Sequence, residues 1–444
     1  MIKYTWLTHN ALQNPNAVAI YSLDKSWDYK TWLSYAEGCR YWLQKNNIPS
    51  GTKIGLWKAD PYMTLAWIFG IIHHGSTVIM LSDRDPKQKI DRLKDQLNIY
   101  CIVENILPSP KEGSPPKVDH DHPSIVILSS GSTGSPKVIL HTLNNMEHSA
   151  QASHQNIAFS QGDRWILSLA LWHIGGLAIA FRALYQSATI CIGSLREIPD
   201  LQVTHTSVVA TQLKRIIEHV DLSKLKAILV GGGPIPQGLI NRCIELNLPI
   251  HTTYGMSELC SQLCTTPAKA SSTVLKTAGF PLSCWQIKCS TERELMVKGS
   301  PLFIGYEKDG SIHSGLNSDG WFYTGDIAVI NTDGSVSILG RKDQMFISGG
   351  ENIHPEEIER VLTSFKEIKA AVVVPVPCKE FGMRPVAFIY GGDIPNLIER
   401  LKEQIPSFKI PDHFFQWPTH IPLFKPSRSS FGLLALQLLQ LDQK

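Results

Sequence analysis

The sequence lacks most features that mark a membrane, secreted or nucleic-acid-binding protein. Its 444 residues contain no apolar run close to the ~18 residues of a membrane span. Met1 is not followed by the charged and apolar regions of a signal peptide. The net charge is only +3 and no basic run stands out, which argues against a nucleic-acid partner. We therefore expect a cytoplasmic protein with no membrane span.

The spacing of the cysteines matches no known metal-binding or disulfide pattern. The nine cysteines include no Cys-x-x-Cys pair, and Cys260 and Cys264 have no second chelating pair at zinc-site spacing. An odd number without a framework suits buried thiols in a reducing compartment. Neither a zinc site nor a disulfide scaffold is indicated.

Alternating strand and helix patterns run through the first part of the chain. Apolar β-branched runs at 54–57, 124–128, 207–210 and 227–230 are interleaved with helix-like stretches at 62–73, 143–155 and 237–246. This alternation predicts an α/β fold of helix-covered, largely parallel sheets. After about residue 290, Asp-Gly pairs at 309–310, 319–320 and 333–334 predict β-hairpins. We expect domains at 1–340 and 341–444, the second a small α+β unit.

The most informative segment is a loop of hydroxyls and glycines that follows the run at 124–128 and ends at Lys137. Glycine leaves backbone N–H groups open to an anion, hydroxyls donate to phosphate oxygens, and lysine adds a positive charge. The loop lacks the Walker A pattern. Its candidate phosphate-binding residues are Ser129, Ser130, Gly131, Ser132, Thr133, Gly134 and Lys137. The alternative is a flexible surface turn.

Four further segments carry residues suited to a nucleotide or its metal. A carboxylate together with phosphate oxygens is the usual way in which Mg²⁺ is held. Read separately, these segments are also compatible with ordinary turns, a capped helix and a domain linker. The segments are Gly231-Gly-Gly-Pro, Tyr254-Gly-Met-Ser-Glu258, Gly320-Trp-Phe-Tyr-Thr-Gly-Asp326 and the Gly-rich stretch Gly340–Glu359.

In this order and spacing the five segments resemble the adenylate-forming superfamily of acyl- and aryl-CoA synthetases, adenylation domains and luciferases, over essentially the whole chain. The resemblance implies an enzyme that uses ATP, Mg²⁺ and CoA. It implies that the Ser130–Lys137 loop surrounds the β- and γ-phosphates and that Glu258 binds the metal. The implied nucleotide contacts are Gly231, Gly232 and Gly233 near adenine, Tyr254 stacked on adenine with Gly255 and Met256 beside it, Ser257 at the α-phosphate, Asp326 at the ribose, and Arg341 at ribose or phosphate.

The same resemblance implies a mobile C-terminal domain. Asp343 matches the hinge (341–344), and Gly349 and Gly350 match the loop that lines the thiol tunnel. The family's C-terminal lysine normally stands in a Gly-Lys context that this chain lacks. Lys425, in Phe-Lys-Pro-Ser-Arg, is the implied catalytic lysine, and Lys409 is the competitor.

Within the superfamily the chain is most similar to the ligases that convert o-succinylbenzoate to its CoA thioester in menaquinone synthesis. That likeness implies that His173 lies beside the reacting carboxylate and that Ser168, Leu171 and Gly176 line the aryl pocket. A cation should meet the second carboxylate, and Arg215 or Lys214 is the candidate. The alternatives are a general aryl- or acyl-CoA ligase, a carrier-loading adenylation enzyme, and a non-catalytic nucleotide-binding protein. The sequence leaves the oligomeric state open.

Overall fold

The computed structural model describes residues 1–129, 136–392, 396–419, 421, 423 and 427–441. The predicted site residues Ser130, Gly131, Ser132, Thr133, Gly134 and Lys425 therefore lie outside the described residues. The helices in chain order are α1 (Trp6–Gln13), α2 (Tyr29–Lys45), α3 (Pro61–His73), α4 (Lys87–Gln96), α5 (Leu143–Asn156), α6 (Ile174–Tyr185), α7 (Ala210–Ile216), α8 (Gln237–Glu245), α9 (Pro355–Leu362), α10 (Leu397–Lys402) and α11 (Arg428–Leu441).

The strands fall into several sheets, and two of these sheets combine strands from distant parts of the chain. In chain order they are β1 (Ile2–Lys3), β2 (Val18–Tyr21), β3 (Ser26–Asp28), β4 (Lys53–Trp57), β5 (Thr77–Met80), β6 (Ile99–Glu104), β7 (Val118–Asp119), β8 (Pro123–Ser129), β9 (Lys137–Thr142), β10 (Arg164–Ile166), β11 (Thr189–Cys191), β12 (His205–Val208), β13 (Ala227–Val230), β14 (Ile250–Tyr254), β15 (Cys264–Thr265), β16 (Phe280–Pro281), β17 (Trp285–Cys289), β18 (Glu294–Gly299), β19 (Gly305–Lys308), β20 (Ser311–His313), β21 (Phe322–Ile330), β22 (Val336–Arg341), β23 (Phe346–Ser348), β24 (Glu351–Ile353), β25 (Ile368–Cys378), β26 (Gly382–Gly391) and β27 (His413–Gln416).

Two sheets with parallel centres form the main body. The first has the order β20-β19-β9-β8-β5-β4-β6, in which β8, β5, β4 and β6 run parallel and β9 turns back antiparallel to β8. The second has the order β16-β15-β14-β13-β12-β10-β11-β2-β3, parallel from β14 to β2. The α/β class predicted from the sequence is confirmed.

Hydrophobic residues explain why the two sheets stack. One buried cluster joins side chains from both sheets with those of α2, α3, α5 and α6, so these helices pack between the sheets. Separate clusters bury α4 against the outer face of the first sheet and α7 and α8 against the second. Parallel strands buried on both faces in this way are apolar almost throughout, as β13 is.

Two further sheets follow. Strands β17-β18-β21-β22 form an antiparallel sheet that ends at Arg341. Residues 346–441, here called the C-terminal segment, contain the sheet β24-β23-β26-β25, to which β27 adds parallel to β26. This segment has its own apolar clusters around Ile358 and Phe431. Of the three Asp-Gly pairs, Asp309-Gly310 forms the tight β19–β20 turn, with both φ angles positive as a two-residue hairpin requires.

Candidate active site

The predicted phosphate loop connects two antiparallel strands. Ser129 ends β8 and pairs in register with Lys137, which begins β9. The strands β8, β5 and β4 all end at this edge of the first sheet. The Lys137 side chain is exposed, and its Nζ lies 5.4 Å from the ring centroid of Tyr306. Ser129 and Lys137 are therefore placed at the mouth of the loop.

The glycine-rich turn after β13 is held tightly against β14. A Cβ on Gly231 would lie 2.6 Å from Cγ2 of Thr253, and Gly232 has a φ of +80°. Both observations explain why glycine occupies these two positions, since a side chain would collide or strain the backbone. Gly233 faces open space. The turn thus lies at the carboxyl end of β13, next to the start of the Tyr254 segment.

Tyr254 and Asp326 form one hydrogen-bonded unit. Tyr254 ends β14, and its hydroxyl donates to Oδ2 of Asp326 at 2.5 Å. Strand pairing places Asp326 directly opposite Arg341, whose Nη1 is 3.6 Å from Oδ1 of Asp326. A side chain at Gly325 would meet the Arg341 guanidinium at 2.9 Å. The structure therefore brings three predicted nucleotide-binding side chains together from two different sheets.

Opposing effects act on the pKa of the Asp326 carboxyl. Asp326 is 8% exposed, and burial raises the pKa of its carboxyl above the ordinary value, while the Tyr254 hydroxyl and the Arg341 guanidinium act in the opposite direction. Burial and the neighbouring Asp326 raise the pKa of the Tyr254 phenol, which stays protonated. A carboxylate has lone pairs for several hydrogen bonds, so Asp326 is suited to accept them from a pair of hydroxyls.

The Ser257–Leu259 segment forms a short 3-10 helix after Met256. A Cβ on Gly255 would lie 1.3 Å from the backbone oxygen of Ser261, so the chain can fold back here only with glycine. Glu258 is 4% exposed, and its Oε1 accepts a hydrogen bond of 2.7 Å from the Tyr306 hydroxyl. Burial and this carboxylate raise the pKa of the Tyr306 phenol.

Tyr306 is a site residue that the sequence analysis missed. It lies on β19, which pairs with β9 and so brings the tyrosine next to Lys137. The sequence signal that could have indicated Tyr306 is the Asp309-Gly310 turn shortly after it. That turn predicts that the residues before it form a strand, which must pair with other strands. Within the described parts of the chain, no cluster of three or more His, Cys, Asp or Glu side chains could hold a metal ion. Glu258 instead fits a site that one carboxylate shares with phosphate oxygens.

A cavity of about 250 Å³ opens where β4, β5 and β10 end. Ser168 and Leu171, both predicted to line the aryl pocket, line this cavity together with Trp57 and Trp172. His173 follows at the N-cap of α6, exposed, with its ring 5.9 Å from that of Trp172. Gly176 is not part of the lining; it packs so closely that a Cβ would lie 2.2 Å from the oxygen of Ala170.

The two candidate cations for the second carboxylate lie on α7. Lys214 and Arg215 are both exposed and are not among the cavity-lining residues. Their helix is nevertheless tied to the cavity, because Nε2 of Gln212 donates to the backbone oxygen of Ser168 at 3.0 Å. The helix begins there because the Gln212 side chain also accepts from the backbone N–H of Val209.

Predicted residues near the C-terminal segment occupy distinct places. Asp343 is exposed and accepts from Nε of Arg341 at 3.2 Å. Gly349 and Gly350, with φ angles of +58° and +87°, form the turn between β23 and β24. Lys409 donates to both carboxylate oxygens of Glu357 at 2.7 Å. Lys425 lies outside the described residues, so only its competitor can be placed.

Comparison with known proteins shows the family of the chain. The sequence pattern of the family described as AMP-binding enzyme matches residues 93–306. The chain is 33% identical to 2-succinylbenzoate–CoA ligase of Bacillus licheniformis over 373 residues, covering 77% of this chain and 76% of that protein. It is 31% identical to the Escherichia coli K12 protein of the same name, covering 84% of each. The chain belongs to the family of AMP-binding enzymes.

Solved structures lead to the same fold. A variant of E. coli MenE with bound OSB-AMS superposes with a TM-score of 0.86 at 26% identity, over 98% of this chain and 99% of that one. O-succinylbenzoate CoA synthetase (MenE) of Bacillus subtilis, in complex with ATP and magnesium ion, gives a TM-score of 0.87 at 24% identity, over 95% of this chain and 97% of that one. At that lower identity the second likeness supports the fold alone.

Proposed function

We propose that this chain is an AMP-forming acid–thiol ligase that uses ATP to join o-succinylbenzoate to CoA, a step of menaquinone biosynthesis. The observation that carries the proposal is the convergence of Tyr254, Asp326 and Arg341, in a chain 33% identical to a 2-succinylbenzoate–CoA ligase. Each half of the reaction can be assigned to residues of this chain.

In the first half-reaction the substrate carboxylate attacks the α-phosphate of ATP and releases pyrophosphate. Asp326 accepts hydrogen bonds from the ribose hydroxyls, with Tyr254 and Arg341 holding its carboxylate in place. Lys137 and the hydroxyls of the loop at 130–135 neutralise the β- and γ-phosphates, and Ser257 contacts the α-phosphate. No covalent protein intermediate is needed, so positioning and charge neutralisation do the chemistry.

The residues present fit a magnesium ion. Glu258 is a buried carboxylate with one oxygen engaged by Tyr306, leaving the other to bind a metal shared with phosphate oxygens. When bound, Mg²⁺ offsets the charge that builds up on the phosphates.

The second half-reaction transfers the acyl group to the thiol of CoA. We assign residues 1–340 and 341–444 to two domains, with Asp343 as the hinge about which the second rotates. Rotation withdraws Lys425 and brings Gly349 and Gly350 to the acyl-adenylate, so one nucleotide site serves both steps. The glycine turn presents almost no side chain, which leaves room for a narrow thiol arm.

We propose that the enzyme is cytoplasmic, and its thiols support this. All nine cysteines are free, which suits the reducing cytoplasm. Among the residues that the structure describes, no helix is both long and apolar enough to cross a membrane.

Adenylation can be tested directly. Exchange of labelled pyrophosphate into ATP, measured with a panel of carboxylates, should depend on o-succinylbenzoate far more than on benzoate or a fatty acid. Addition of CoA should then release AMP and form the thioester. A preference for another acid would support a general acyl-CoA ligase, use of a carrier protein in place of CoA would support a carrier-loading enzyme, and no exchange with any acid would refute ligase activity.

The second carboxylate of the substrate gives a sharper test. We place Arg215 opposite it, because α7 is bonded to the cavity at Ser168. Arg215→Gln should lower kcat/KM for o-succinylbenzoate while leaving an analogue without the second carboxylate unaffected. Lys214→Gln, one position away and equally exposed, is the matched control. Equal losses for both acids would remove Arg215 from the substrate site.

A further inference from the structure

Tyr306 touches two parts of the phosphate site that are far apart in sequence. Its hydroxyl donates to Oε1 of Glu258 at 2.7 Å, and its ring lies under the Lys137 ammonium at 5.4 Å. Glu258 follows β14 of the second sheet, whereas Lys137 begins β9 of the first. The tyrosine therefore links the candidate metal ligand to the lysine of the phosphate loop across the junction of the two sheets.

Strand pairing fixes where this tyrosine stands. Tyr306 on β19 pairs with Ile139 on β9. Ile139 is two positions after Lys137 on the same strand, so the two side chains lie on the same face of the sheet. The Asp309-Gly310 turn closes the hairpin on the other side of β19 and so fixes its register. The ring packs against Phe303 with centroids 4.7 Å apart. Packing and register leave the side chain little freedom.

The main chain of Glu258 is anchored next to Tyr306. The backbone oxygen of Glu258 accepts from the N–H of Phe303 at 2.8 Å, so the residues just before β19 hold the main chain of the metal ligand. The side chain is 4% exposed. Without the tyrosine hydroxyl, Oε1 would lose its hydrogen-bond donor and the carboxylate would be free to rotate about its last bond.

We propose that Tyr306 is the positioning residue of the magnesium site, holding Glu258 so that a single carboxylate oxygen faces the metal, with its ring beneath Lys137. This inference rests on the proposed function, in which Glu258 binds Mg²⁺ together with the ATP phosphates. Groups that orient a metal ligand typically contribute 10- to 100-fold to metal affinity or activity. The tyrosine occupies that position for the Glu258 carboxylate.

Tyr306→Phe tests the inference, because it removes the hydroxyl and retains the ring that packs on Phe303 and faces Lys137. The first measurement is binding of Mn²⁺, followed by electron paramagnetic resonance, in the presence of α,β-methylene-ATP, which cannot donate its adenylyl group because its α–β bridge is not cleaved. We expect the Mn²⁺ dissociation constant to rise about 10-fold or more. The control is Tyr29→Phe, which removes a fully buried hydroxyl that donates to the oxygen of Ala188 at 2.7 Å, and this variant should bind Mn²⁺ unchanged.

A second measurement separates positioning from a general structural effect. In pyrophosphate exchange, Tyr306→Phe should need about 10-fold more Mg²⁺ for half-maximal rate and should regain most of its rate at saturating Mg²⁺. A loss that no Mg²⁺ concentration restores, or a Mn²⁺ constant equal to that of the unaltered chain, would overturn the positioning role. If the unaltered chain binds no Mn²⁺ with the nucleotide, the proposed ligase function itself fails. If it binds Mn²⁺ but does not adenylate o-succinylbenzoate, only the substrate assignment fails.

Discussion

Acid should destabilise this protein through a histidine beneath its phosphate site. His141 lies on β9, is 0% exposed, and has its Nδ1 3.1 Å from Sγ of Cys260. Burial lowers the pKa of His141 from 6.5 to about 4. As the pH falls below 6.5, the unfolded chain binds a proton at this position while the folded chain does not, so stability is lost progressively until about pH 4.

The size of the loss follows from the difference in pKa. A difference of about 2.5 in pKa corresponds to about 3 kcal/mol in full, since each pKa unit is worth 1.36 kcal/mol. At pH 5 the unfolded histidine is almost fully protonated, and about 2 kcal/mol has been lost relative to pH 8. Burial also lowers the pKa of His205 to about 4, so the unaltered protein should lose stability through both histidines.

Urea unfolding at pH 8, 6 and 5, followed by tryptophan fluorescence, measures this dependence. His141→Gln should lose about 2 kcal/mol less than the unaltered protein between pH 8 and pH 5, whatever its stability at pH 8. His313→Gln, at an exposed position of β20, is the control and should retain the original dependence. An unchanged difference between pH 8 and pH 5 in His141→Gln would refute the reasoning.

Three further predictions concern the site and the C-terminal segment. Asp326→Asn should raise KM for ATP about 10- to 100-fold, because hydrogen bonds to a charged group contribute about 1.5–3 kcal/mol. The raised pKa of Asp326 means that its buried charge costs stability at neutral pH. The melting temperature of the nucleotide-free variant should therefore equal or exceed that of the unaltered protein. Lys425→Met should lower the adenylation rate in single-turnover assays about 100-fold or more. Lys409→Met, which breaks an ion pair with Glu357, should keep that rate within about twofold and lower the free energy of unfolding by about 1 kcal/mol. The reverse pattern would exchange the roles of the two lysines. Arg428→Met should destabilise the C-terminal segment by about 3–5 kcal/mol, because it leaves the carboxylates of Glu356 and Glu359 unpaired. Limited proteolysis should cut this segment faster in the variant, and an unchanged rate of cleavage would contradict the prediction.

Much of the fold and part of the site could be predicted from local sequence. The runs at 124–128 and 227–230 form β8 and β13, and Asp309-Gly310 forms a hairpin turn, because strand and turn signals are local. One boundary was wrong: the strand expected at 207–210 ends at Val208, and Ala210 already begins α7. Its apolar residues continue past the strand, and only the Gln212 cap on Val209 reveals the helix start.

The part of the site that could not be predicted depends on non-local pairing. Tyr306 stands in no motif, and its bond to Glu258 exists only because β19 adds to β9 at the edge of the first sheet. The direct contact of Tyr254 with Asp326 likewise joins strands of two separate sheets. Motif spacing indicates which residues are needed, whereas sheet topology decides which of them touch.

One contact in the C-terminal segment has a consequence for the order of the two half-reactions. Arg428 donates to Oε2 of Glu359 on α9 at 2.8 Å and to the oxygen of Val373 at 2.7 Å. Lys425 stands three positions before Arg428 in the chain, a span of at most about 11 Å. Helix α9 in turn begins just after the Gly349-Gly350 turn. Under the proposed rotation, Lys425 and the glycine turn move together as parts of one segment. Bringing the glycine turn to the nucleotide site therefore withdraws the lysine, and this order requires the adenylate to form before the thiol reaches it.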